Sequence, residues 1–534
     1  MKRLMVLAVG LVLLGMGFSA SAQQQLIPIF VSTNQDVYRA GDRMEVTGSL
    51  ENPGPETTVD VYLGVGCPDW AGSPLFFLPW LDQSWRPYLS HFWLSQGWSS
   101  GDVNVFNYDF ADDFPAGDYF WFAAVTEPDT TNVIGEISFA WFSFESDGGA
   151  DFYVSTCGSD LTGDGSKDNP WMSIGYALEQ TIAAPGNPKT IGVAAGTYEE
   201  NIEMKSFVNL YGGYSALDWE RDIELNETII DGGGDGHVVI GADDSTIDGF
   251  TITNGRTGEE GGGINCMDSS PTIRNCTITG NSTDSSVGGA GIFCKNSTAM
   301  IQNCTIMNNY SDNTEYGSGG GIYCWYGSPT IQNCTISGNS AEYYTGGGIY
   351  CADSTAIIEN CTIDQNSARW GGGICWFRGA PTIRNCMIAG NSAGDTGGAL
   401  WCEDSTAVIS NCTVSQNAAT SGGGGSYFRQ HSGISPMPTI TDCIFWANES
   451  NVWDEATVTY CDVENDMPEG EGNLSEDPKF RTGPFGEYYL APDSPCIDAG
   501  SKSAVDAGLS DRTTMEDGVA DTDMVDLGYH YPMP

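Results

Sequence analysis

A repeat of roughly 25–31 residues runs through the second half of the chain and constrains its fold more than any other feature. Three copies make it plain: GGGINCMDSSPTIRNCTITGNS begins at Gly261, GGGIYCWYGSPTIQNCTISGNS at Gly319 and GGGIYCADSTAIIENCTIDQNS at Gly346. Further copies begin at Gly371 and Gly397. A sustained repeat of this length is typical of stacked coils, in which each unit buries its apolar side chains against its neighbours.

When the copies are aligned on their second cysteine, like residues form columns. In the copy that begins at Gly261, Ile273 lies three residues before Cys276, Ile278 lies two residues after it, and Asn275 directly precedes it. One strand of period two cannot bury both isoleucines, so a tight turn must fall between them. Asparagine tolerates the left-handed conformation that such a turn needs, and stacked amides can hydrogen-bond from coil to coil.

Each copy therefore predicts three short strands, at Gly-Ile-x-Cys, at Thr-Ile and at Cys-Thr-Ile, stacked in parallel about 4.8 Å apart. This is a parallel β-helix, and the general handedness of parallel crossovers predicts a right-handed one. A short amphipathic helix beginning near Pro170 is predicted to cover its N-terminal end. We expect an all-β chain with the β-helix at 151–472 and a C-terminal cap or anchor-type region at 473–534.

The first part of the chain has a different character. Residues 1–22 have the features of a secretory signal peptide, with a charged start, an apolar run and a small-residue cleavage site. Residues 26–147 are rich in aromatic residues and short alternating runs, which predicts an Ig-like antiparallel β-sandwich. No later segment approaches 18 consecutive apolar residues. We expect an exported protein, extracellular or at the cell surface, with the periplasm as an alternative.

The charge balance limits the classes of partner that the protein is expected to bind. The sequence has 20 Lys and Arg against 70 Asp and Glu, a formal net charge of -50. With no basic stripe to neutralise phosphates, nucleic acid is not an expected partner. Polyanionic glycans would be repelled unless a divalent cation bridged them.

Cysteine recurs at two positions of each copy, for example at Cys324 and Cys334. The simplest interpretation is that these 17 cysteines are largely small, buried apolar residues. Disulfides within a coil are an alternative.

One column on the first strand is the main functional candidate. If Ile and Cys of Gly-Ile-x-Cys point into the coil, x points outward, and it is aromatic in most coils. Its candidate ligand-binding members are Phe293, Tyr323, Tyr350, Trp401 and Tyr427. Such a stripe can hold sugar rings or another macromolecule. The alternative is that the aromatics pack on one another beneath the variable segment of the repeat.

A catalytic alternative rests on carboxylates. Asp353 and Asp404 share a column at the turn after the first strand, with Arg378 in the coil between them. Two coils of about 4.8 Å put the carboxylates near the upper limit of the 5–9.5 Å that glycoside hydrolysis requires. Asp-Ser is also common turn chemistry. We therefore favour non-enzymatic binding of a glycan or another macromolecule, with a polysaccharide hydrolase or lyase and a structural or adhesive spacer as alternatives.

Acidic loops offer candidate calcium ligands. Asp160, Asp164 and Asp168 lie in one loop, and Asp521 and Asp526 belong to a crowded acidic tail. Carboxylate oxygens at this density suit Ca²⁺, although solvated acidic turns have the same composition.

Three segments carry a resemblance to known families. Tyr153 to Asp160, Asn169 to Trp171 and Gly196 to Tyr198 resemble the opening of pectin-lyase-like right-handed β-helix proteins. Gly-Gly-Gly-Ile followed by Ile-x-Gly-Asn-Ser resembles the repeats of chlamydial polymorphic outer-membrane proteins. Ser494 to Gly500 and Val525 to Tyr529 resemble the C-terminal region of choice-of-anchor-type bacterial surface proteins. The resemblance implies ligand binding along the outer face of the first strand, in a fold that hosts lyases, hydrolases, epimerases and adhesins.

Overall fold

The computed structural model describes residues 150–533, except for 285–287, 313–318, 430–436, 453–455 and 466. Before residue 150 it describes ten strands and residues 55, 100 and 128. The predicted signal peptide, at residues 1–22, lies outside the described residues. The chain divides into two units, Met1–Gly149 and Ala150–Pro534.

The strands of the first unit form two sheets. The four-stranded sheet contains Ile29–Thr33, Arg43–Asn52, Trp98–Ser99 and Val103–Asp109. The six-stranded sheet contains Val37–Tyr38, Thr57–Gly66, Leu75–Phe77, Leu89–Leu94, Gly117–Thr126 and Ser138–Phe144. Neighbouring strands are antiparallel, except that Val37–Tyr38 runs parallel to Ser138–Phe144. The Ig-like packing of these two sheets stays a prediction.

The second unit is a parallel β-solenoid with four sheets, which the chain visits in the order A, B, C and D in its middle turns, whereas the first and last turns lack a strand of sheet C. Sheet A has twelve strands: Phe152–Val154, Lys189–Ala194, Val208–Tyr214, Thr246–Asp248, Thr272–Arg274, Met300–Gln302, Thr330–Gln332, Ile357–Glu359, Thr382–Arg384, Val408–Ser410, Thr439–Thr441 and Thr457–Thr459. Sheet B has eleven: Gly196–Glu199, Thr228–Asp231, Thr251–Thr253, Thr277–Thr279, Thr305–Met307, Thr335–Ser337, Thr362–Asp364, Met387–Ala389, Thr413–Ser415, Ile444–Trp446 and Asp462–Val463.

The other two sheets complete each turn. Sheet C has seven strands: Arg256–Thr257, Ser282–Thr283, Tyr310–Ser311, Ser340–Thr345, Ser367–Trp370, Ser392–Thr396 and Ala418–Ala419. Sheet D has ten: Ile202–Glu203, Val239–Ile240, Ile264–Met267, Ile292–Lys295, Ile322–Trp325, Ile349–Ser354, Ile374–Gly379, Leu400–Glu403, Ser426–Arg429 and Asn451–Val452. Sheets D, A and B correspond to the three predicted strands of each repeat. Sheet C was not predicted, and it forms within the variable segment.

The predicted columns pair residue for residue between coils. On sheet A, Ile273 pairs with Ile301 and Ile301 with Ile331, and all three side chains are fully buried. On sheet D, Cys294 pairs with Cys324 in the same register. The prediction that each repeat wraps once around a common axis is confirmed.

Asparagine stabilises the coils at two positions. At the corner between sheets A and B, Asn275 and Asn303 have left-handed φ angles of 52°, as the sequence predicts. After sheet B, a second column forms a ladder along the interior. There Asn309 Nδ2 donates to Asn339 Oδ1, and Asn339 Nδ2 donates to Asn366 Oδ1, each at 3.0 Å. Because the buried amides satisfy one another, the ladder fixes the register of successive coils.

The cysteines of the described residues are all free thiols. In the corner column each thiol donates to main-chain carbonyls, as when Cys304 Sγ lies 3.6 Å from the oxygen of Ile273 and 3.2 Å from that of Gln302. The pKa values of the Cys386 and Cys412 thiols are raised, mainly because both thiols are buried. The described cysteines of the repeats are therefore small buried residues, as the simplest interpretation predicts, and they do not form disulfides within a coil.

A short helix, Ile174–Gln180, lies at the start of the solenoid and buries Ile174, Ala177 and Leu178. Its first amides are satisfied from outside the helix, since Glu200 accepts hydrogen bonds from the main-chain N–H groups of Ile174 and Gly175 at 2.8 Å. A second helix is Ala504–Ala507. Neither helix of the described residues is long and apolar enough to cross a membrane.

The last sixty residues fold back along the outside of the solenoid. Two short hairpins form here, Phe480–Gly483 with Gly486–Leu490 and Arg512–Thr513 with Tyr531–Pro532. Their side chains cover outward positions of sheet B. Met387 packs against three tyrosines, and Ile444 packs against an aliphatic cluster. The partners are Tyr489, Tyr529 and Tyr531 for Met387, and Leu490, Cys496 and Leu527 for Ile444.

Candidate functional site

The predicted outward column lies on the outer face of sheet D. Phe293 pairs with Tyr323, Tyr323 with Tyr350, and Cys375 with Trp401 in register. These side chains do not join the core inside the coils but form a separate cluster on the other face of the sheet. The outward orientation is therefore as predicted.

The column is nevertheless mostly covered. Phe293 is fully buried, Trp401 is 9% exposed, and Tyr427 is partly buried. Rings of successive coils contact one another: Tyr323 stacks on Tyr350 with centroids 4.8 Å apart. The rings therefore pack on one another, as the alternative interpretation expects, and some of them also line a cavity; ligand binding by the column stays a prediction.

This cavity, which we call the aromatic cavity, has a volume of about 720 Å³ and lies where sheets C and D meet. Its aromatic lining residues are Tyr323, Trp325, Tyr326, Tyr344, Tyr350, Trp370, Phe377, Trp401 and Tyr427. Its other lining residues are Thr345, Ala352, Asp353, Asp395, Thr396, Glu403 and Arg429.

The floor of the cavity is a gap in a second outward column of sheet D. In that column Trp325 pairs with Ala352, and Ala352 pairs with Phe377. A methyl group between two large rings leaves space on the outer face. Equivalent positions two coils apart are separated by about 10 Å, so Trp325 and Phe377 flank a slot wide enough for a flat ring.

Sheet C supplies the opposite wall. Its strands Ser340–Thr345, Ser367–Trp370 and Ser392–Thr396 are longer than those of earlier coils and carry Tyr344 and Trp370 into the lining. The two rings meet edge to face with centroids 5.6 Å apart. Trp370 Nε1 donates to Asp395 Oδ2 at 3.2 Å, which fixes the orientation of both side chains.

Three carboxylates and one guanidinium are the charged groups of the lining. Asp353 is half-buried and accepts no hydrogen bond from any residue that the structure describes. Arg429 is exposed, and it pairs in register with Glu403. Trp401 Nε1 is buried without a hydrogen-bond partner among the described residues.

Two phenols of the cavity, those of Tyr323 and Tyr350, have a raised pKa. Burial is the main cause that raises the pKa of Tyr323, and the negative charges of Asp353 and Glu260 raise it further. Burial also raises the pKa of Tyr350. These tyrosines can therefore donate a hydrogen bond to a ligand, but they do not supply a negative charge.

The three candidate catalytic residues lie at the same corner position of three successive coils, but they do not line the same cavity. Asp353, Arg378 and Asp404 have left-handed φ angles of 47°, 57° and 51° at the corner after sheet D. Asp353 lines the aromatic cavity, whereas Asp404 and Arg378 do not. The Arg378 guanidinium lies 4.7 Å from the centroid of the Phe377 ring.

The candidate calcium ligands near the N-terminal end serve local structure. Asp160 accepts hydrogen bonds from the amides of Met172 and Ser173 and from the Ser173 hydroxyl. Asp164 accepts one from the amide of Ser166. Among the described residues, these two and Asp168 are not brought within the mutual distance that a shared ion requires.

The acidic tail does bring carboxylates together. Oxygens of Asp498, Asp521 and Asp526 lie within 4.8 Å of one another. They already have partners in the protein: His530 Nε2 lies 2.9 Å from Asp521, and the Thr514 hydroxyl donates to Asp526. Burial is the main cause that raises the pKa of Asp526. The cluster holds the loop at Asp498 to the segment from Thr514 to His530.

Comparison with known proteins supports the fold. A family model described as a right handed beta helix region matches residues 204–356 and 290–467. Together with the stacked parallel sheets, this match decides the fold. The second unit is a right-handed parallel β-helix.

The other comparisons add nothing to this β-helix. No curated protein matches the chain. Among solved structures, Pseudomonas fluorescens alkylpurine DNA glycosylase AlkC, bound to DNA containing an abasic site analog, matches at 16% identity with a TM-score of 0.17. That match covers 25% of this chain and 33% of the glycosylase, and its TM-score is too low to indicate a shared fold.

Most of the cavity wall was not predicted from the sequence. Trp325 and Phe377 follow the predicted column by two residues, so strand periodicity was the signal that could have found them. Tyr344, Trp370 and Asp395 lie in variable segments that do not align between copies, and no sequence signal places them beside sheet D.

Proposed function

We propose that this protein is an exported, non-enzymatic carbohydrate-binding protein and that the aromatic cavity is its sugar site. One observation carries the proposal: a cavity of about 720 Å³ has nine aromatic side chains in its walls and carboxylates among its few polar groups. Sites for small ligands commonly have volumes of about 300–1,000 Å³, apolar walls and few polar groups.

The chemistry of the lining suits a pyranose ring. The C–H face of a sugar packs on an aromatic ring, and the slot between Trp325 and Phe377 offers such rings on two sides. Sugar hydroxyls are donors, and Asp353 and Asp395 offer carboxylate acceptors at the same cavity.

The charge of the chain restricts the class of glycan. With a formal net charge of -50, the protein repels uronates and sulfated polymers. The lining contains three carboxylates and one guanidinium, and this excess of negative charge also disfavours anionic glycans. We propose that neutral or cationic glycans are the ligands.

The arrangement of charged residues supports binding without catalysis. Asp353 and Asp404, the predicted hydrolase pair, do not meet in one cavity. Arg274 and Arg384, which share a column on sheet A away from the aromatic cavity, are engaged in ion pairs: Arg274 Nε donates to Asp248 at 2.6 Å, and Arg384 pairs with Glu359. These contacts favour a structural role for both arginines.

The exported location rests on the signal-like residues 1–22 and on the resemblance to pectin-lyase-like and bacterial surface β-helix proteins. A structural or adhesive spacer without a small-molecule ligand is the alternative, and binding assays separate the two.

The test is a titration of the full chain against a panel of neutral and cationic oligosaccharides, with two neighbouring tyrosines as a matched pair. Tyr344 lines the aromatic cavity, whereas Tyr343 on the same strand does not and is 45% exposed. We expect Tyr344→Ala to weaken binding about tenfold, in line with the loss of an aromatic contact, and Tyr343→Ala to leave it unchanged. Equal affinity for both variants, or no binding to any member of the panel, would contradict the proposal.

A product assay accompanies the titration because Asp353 and Glu403 both line the cavity. We expect no new reducing ends and no unsaturated products, with or without Ca²⁺. Product formation that Asp353→Asn abolishes would make the protein a polysaccharide-degrading enzyme instead.

A further inference from the structure

We propose that the aromatic cavity selects sugars that carry a free ammonium group, so that its ligand is a glycan with unacetylated amino-sugar units. This inference rests on the proposed function and narrows it from carbohydrates in general to one class.

Asp353 is a lining carboxylate that has no hydrogen-bond donor among the described residues. It lies at the cavity floor beside Ala352. A half-buried carboxylate without a donor is a strong site for a charged donor, because an ammonium-to-carboxylate hydrogen bond is roughly twice as strong as a neutral one.

Three of the lining rings form cation–π contacts with basic side chains of the protein. Lys295 Nζ lies 4.3 Å from the Trp325 ring, and the guanidinium of Arg369 lies 4.2 Å from the Trp370 ring. Arg378 contacts Phe377 in the same way. The ring faces that these cations cover are closed to a ligand, so a ligand ammonium gains a cation–π contact only at other lining rings, such as Tyr350 and Trp401.

The charged groups that line the cavity are mostly carboxylates. Lys295, Arg369 and Arg378 contact lining rings but do not line the cavity, and Arg429 is exposed. At the Tyr323 phenol the charged carboxylates that act are Asp353 and Glu260, and both disfavour a further negative charge there. The charged groups that face a ligand directly are therefore complementary to a cation rather than to an anion.

The size of the cavity separates an amino sugar from a simple ammonium head group. A volume of about 720 Å³ is suited to a drug-sized molecule. The slot beside Ala352 and the stacked pair of Tyr323 and Tyr350 provide apolar surface along more than one coil. A pyranose fills the slot while its ammonium group reaches Asp353.

The experiment compares three oligosaccharide series of equal length by calorimetry on the full chain: β-1,4-linked glucosamine, the N-acetylated form of the same oligomers, and cello-oligosaccharides. The pH is kept where the free amine is protonated. We expect the glucosamine series to bind at least about tenfold more tightly than the other two, because it alone forms a charged hydrogen bond.

Asp353→Asn is the decisive variant. Asparagine is tolerated at this corner, since Asn296 occupies the same column with a left-handed φ of 49°. We expect Asp353→Asn to remove the preference for glucosamine and to weaken the binding of cello-oligosaccharides far less, because the asparagine oxygen still accepts a hydrogen bond from a sugar hydroxyl. Asp268→Asn is the matched control, because Asp268 has the same corner conformation outside the cavity.

The outcomes distinguish the two proposals. Equal affinity for all three series, unchanged by Asp353→Asn, would overturn the selection of ammonium sugars and leave carbohydrate binding intact. Tighter binding of the N-acetylated series would also overturn it, and would direct attention to the unpaired Trp401 Nε1 as a donor to the acetyl carbonyl. If no series binds, the proposed function itself fails.

Discussion

Asn385 and His530, which are 145 residues apart in the chain, form two hydrogen bonds with each other. Asn385 Nδ2 donates to the His530 carbonyl at 3.0 Å, and the His530 amide donates to Asn385 Oδ1 at 2.7 Å. Asn385 belongs to the corner column of the β-helix, so a residue that shapes one coil also binds the C-terminal region.

Replacing Asn385 by glycine tests this contact. Glycine adopts the left-handed φ of 47° without strain but cannot form the two hydrogen bonds. The buried main-chain groups of His530 would be left unpaired, and we expect the free energy of unfolding to fall by about 2–4 kcal/mol in urea denaturation. Asn333→Gly is the control, because Asn333 has the same corner conformation and an exposed side chain. Equal losses for the two variants would contradict the interpretation.

The interior asparagine ladder leads to a second prediction. Asn339 is fully buried, donates to the Ile306 carbonyl at 2.9 Å and to Asn366 Oδ1, and accepts from Asn309. Asn339→Asp keeps the shape of the side chain but removes its donor and places a carboxyl group in the interior. We expect a loss of about 3 kcal/mol or more, measured by thermal or urea unfolding.

The control for the ladder is Asn333→Asp. The corner column tolerates aspartate, since Asp442 lies there naturally with a φ of 57°. A ladder variant no less stable than this corner variant would show that the interior hydrogen bonds do not fix the coils.

The repeat made the coil predictable because each column is set by identical side chains at identical spacing. Ile273, Ile301 and Ile331 are buried as their spacing requires, and Asn275 turns the corner as expected. Sheet C could not be predicted, because its strands differ in both sequence and length: Tyr310–Ser311 has two residues and Ser340–Thr345 has six.

The candidate site was predictable only in part for the same reason. The outward direction of Tyr323 and Tyr350 follows from strand alternation alone. Their burial depends on how far the variable segments carry Tyr344 and Trp370 across sheet D, which no column records. Likewise, Asp353 faces a cavity because its neighbour is Ala352 where the adjacent coils have large rings, a feature of one coil rather than of the repeat.

One outward column of sheet B changes from polar to apolar residues along the chain, and this change could have predicted that the C-terminal region covers it. The column that holds Thr305 and Thr335 in early coils holds Met387 and Ile444 in later ones. Both later side chains are buried beneath the returning chain. An apolar residue in an otherwise polar outward column indicates a covered surface.

A buried ion-pair network at the start of the regular coils predicts a pH dependence. Asp248 is fully buried and contacts Arg221 at 2.8 Å and Arg274 at 2.6 Å. Burial by itself would raise the pKa of the Asp248 carboxyl, but the two guanidinium groups and Asn275 lower it overall. Because the folded pKa lies below the unfolded value of about 3.9, the contribution to stability is present above that value and is lost as the pH falls through the folded pKa.

Asp248→Asn measures that contribution. We expect the variant to be about 3–5 kcal/mol less stable than the natural protein near neutral pH, since two partly buried guanidinium groups lose the charge of the buried carboxylate. The difference should shrink as the pH falls below about 4, where the natural carboxylate also becomes protonated. Urea unfolding of both proteins across this range is the measurement. A difference that stays constant with pH would show that packing, and not charge, accounts for the loss.

The cysteine columns predict a pattern of chemical reactivity. Of the described cysteines only Cys157 is exposed, and the others are buried free thiols. Burial raises the pKa of thiols such as Cys386 and Cys412, so they are neither accessible nor ionised in the folded protein. With a thiol-alkylating reagent under native conditions, we expect peptide mapping to find label at Cys157 and none in the columns, until denaturant opens the coils. Cys157→Ser should remove the label from the described region without changing stability. Rapid labelling of Cys324 or Cys412 in the native protein would mean that the coils open far more readily than their ladders and closely packed interior allow.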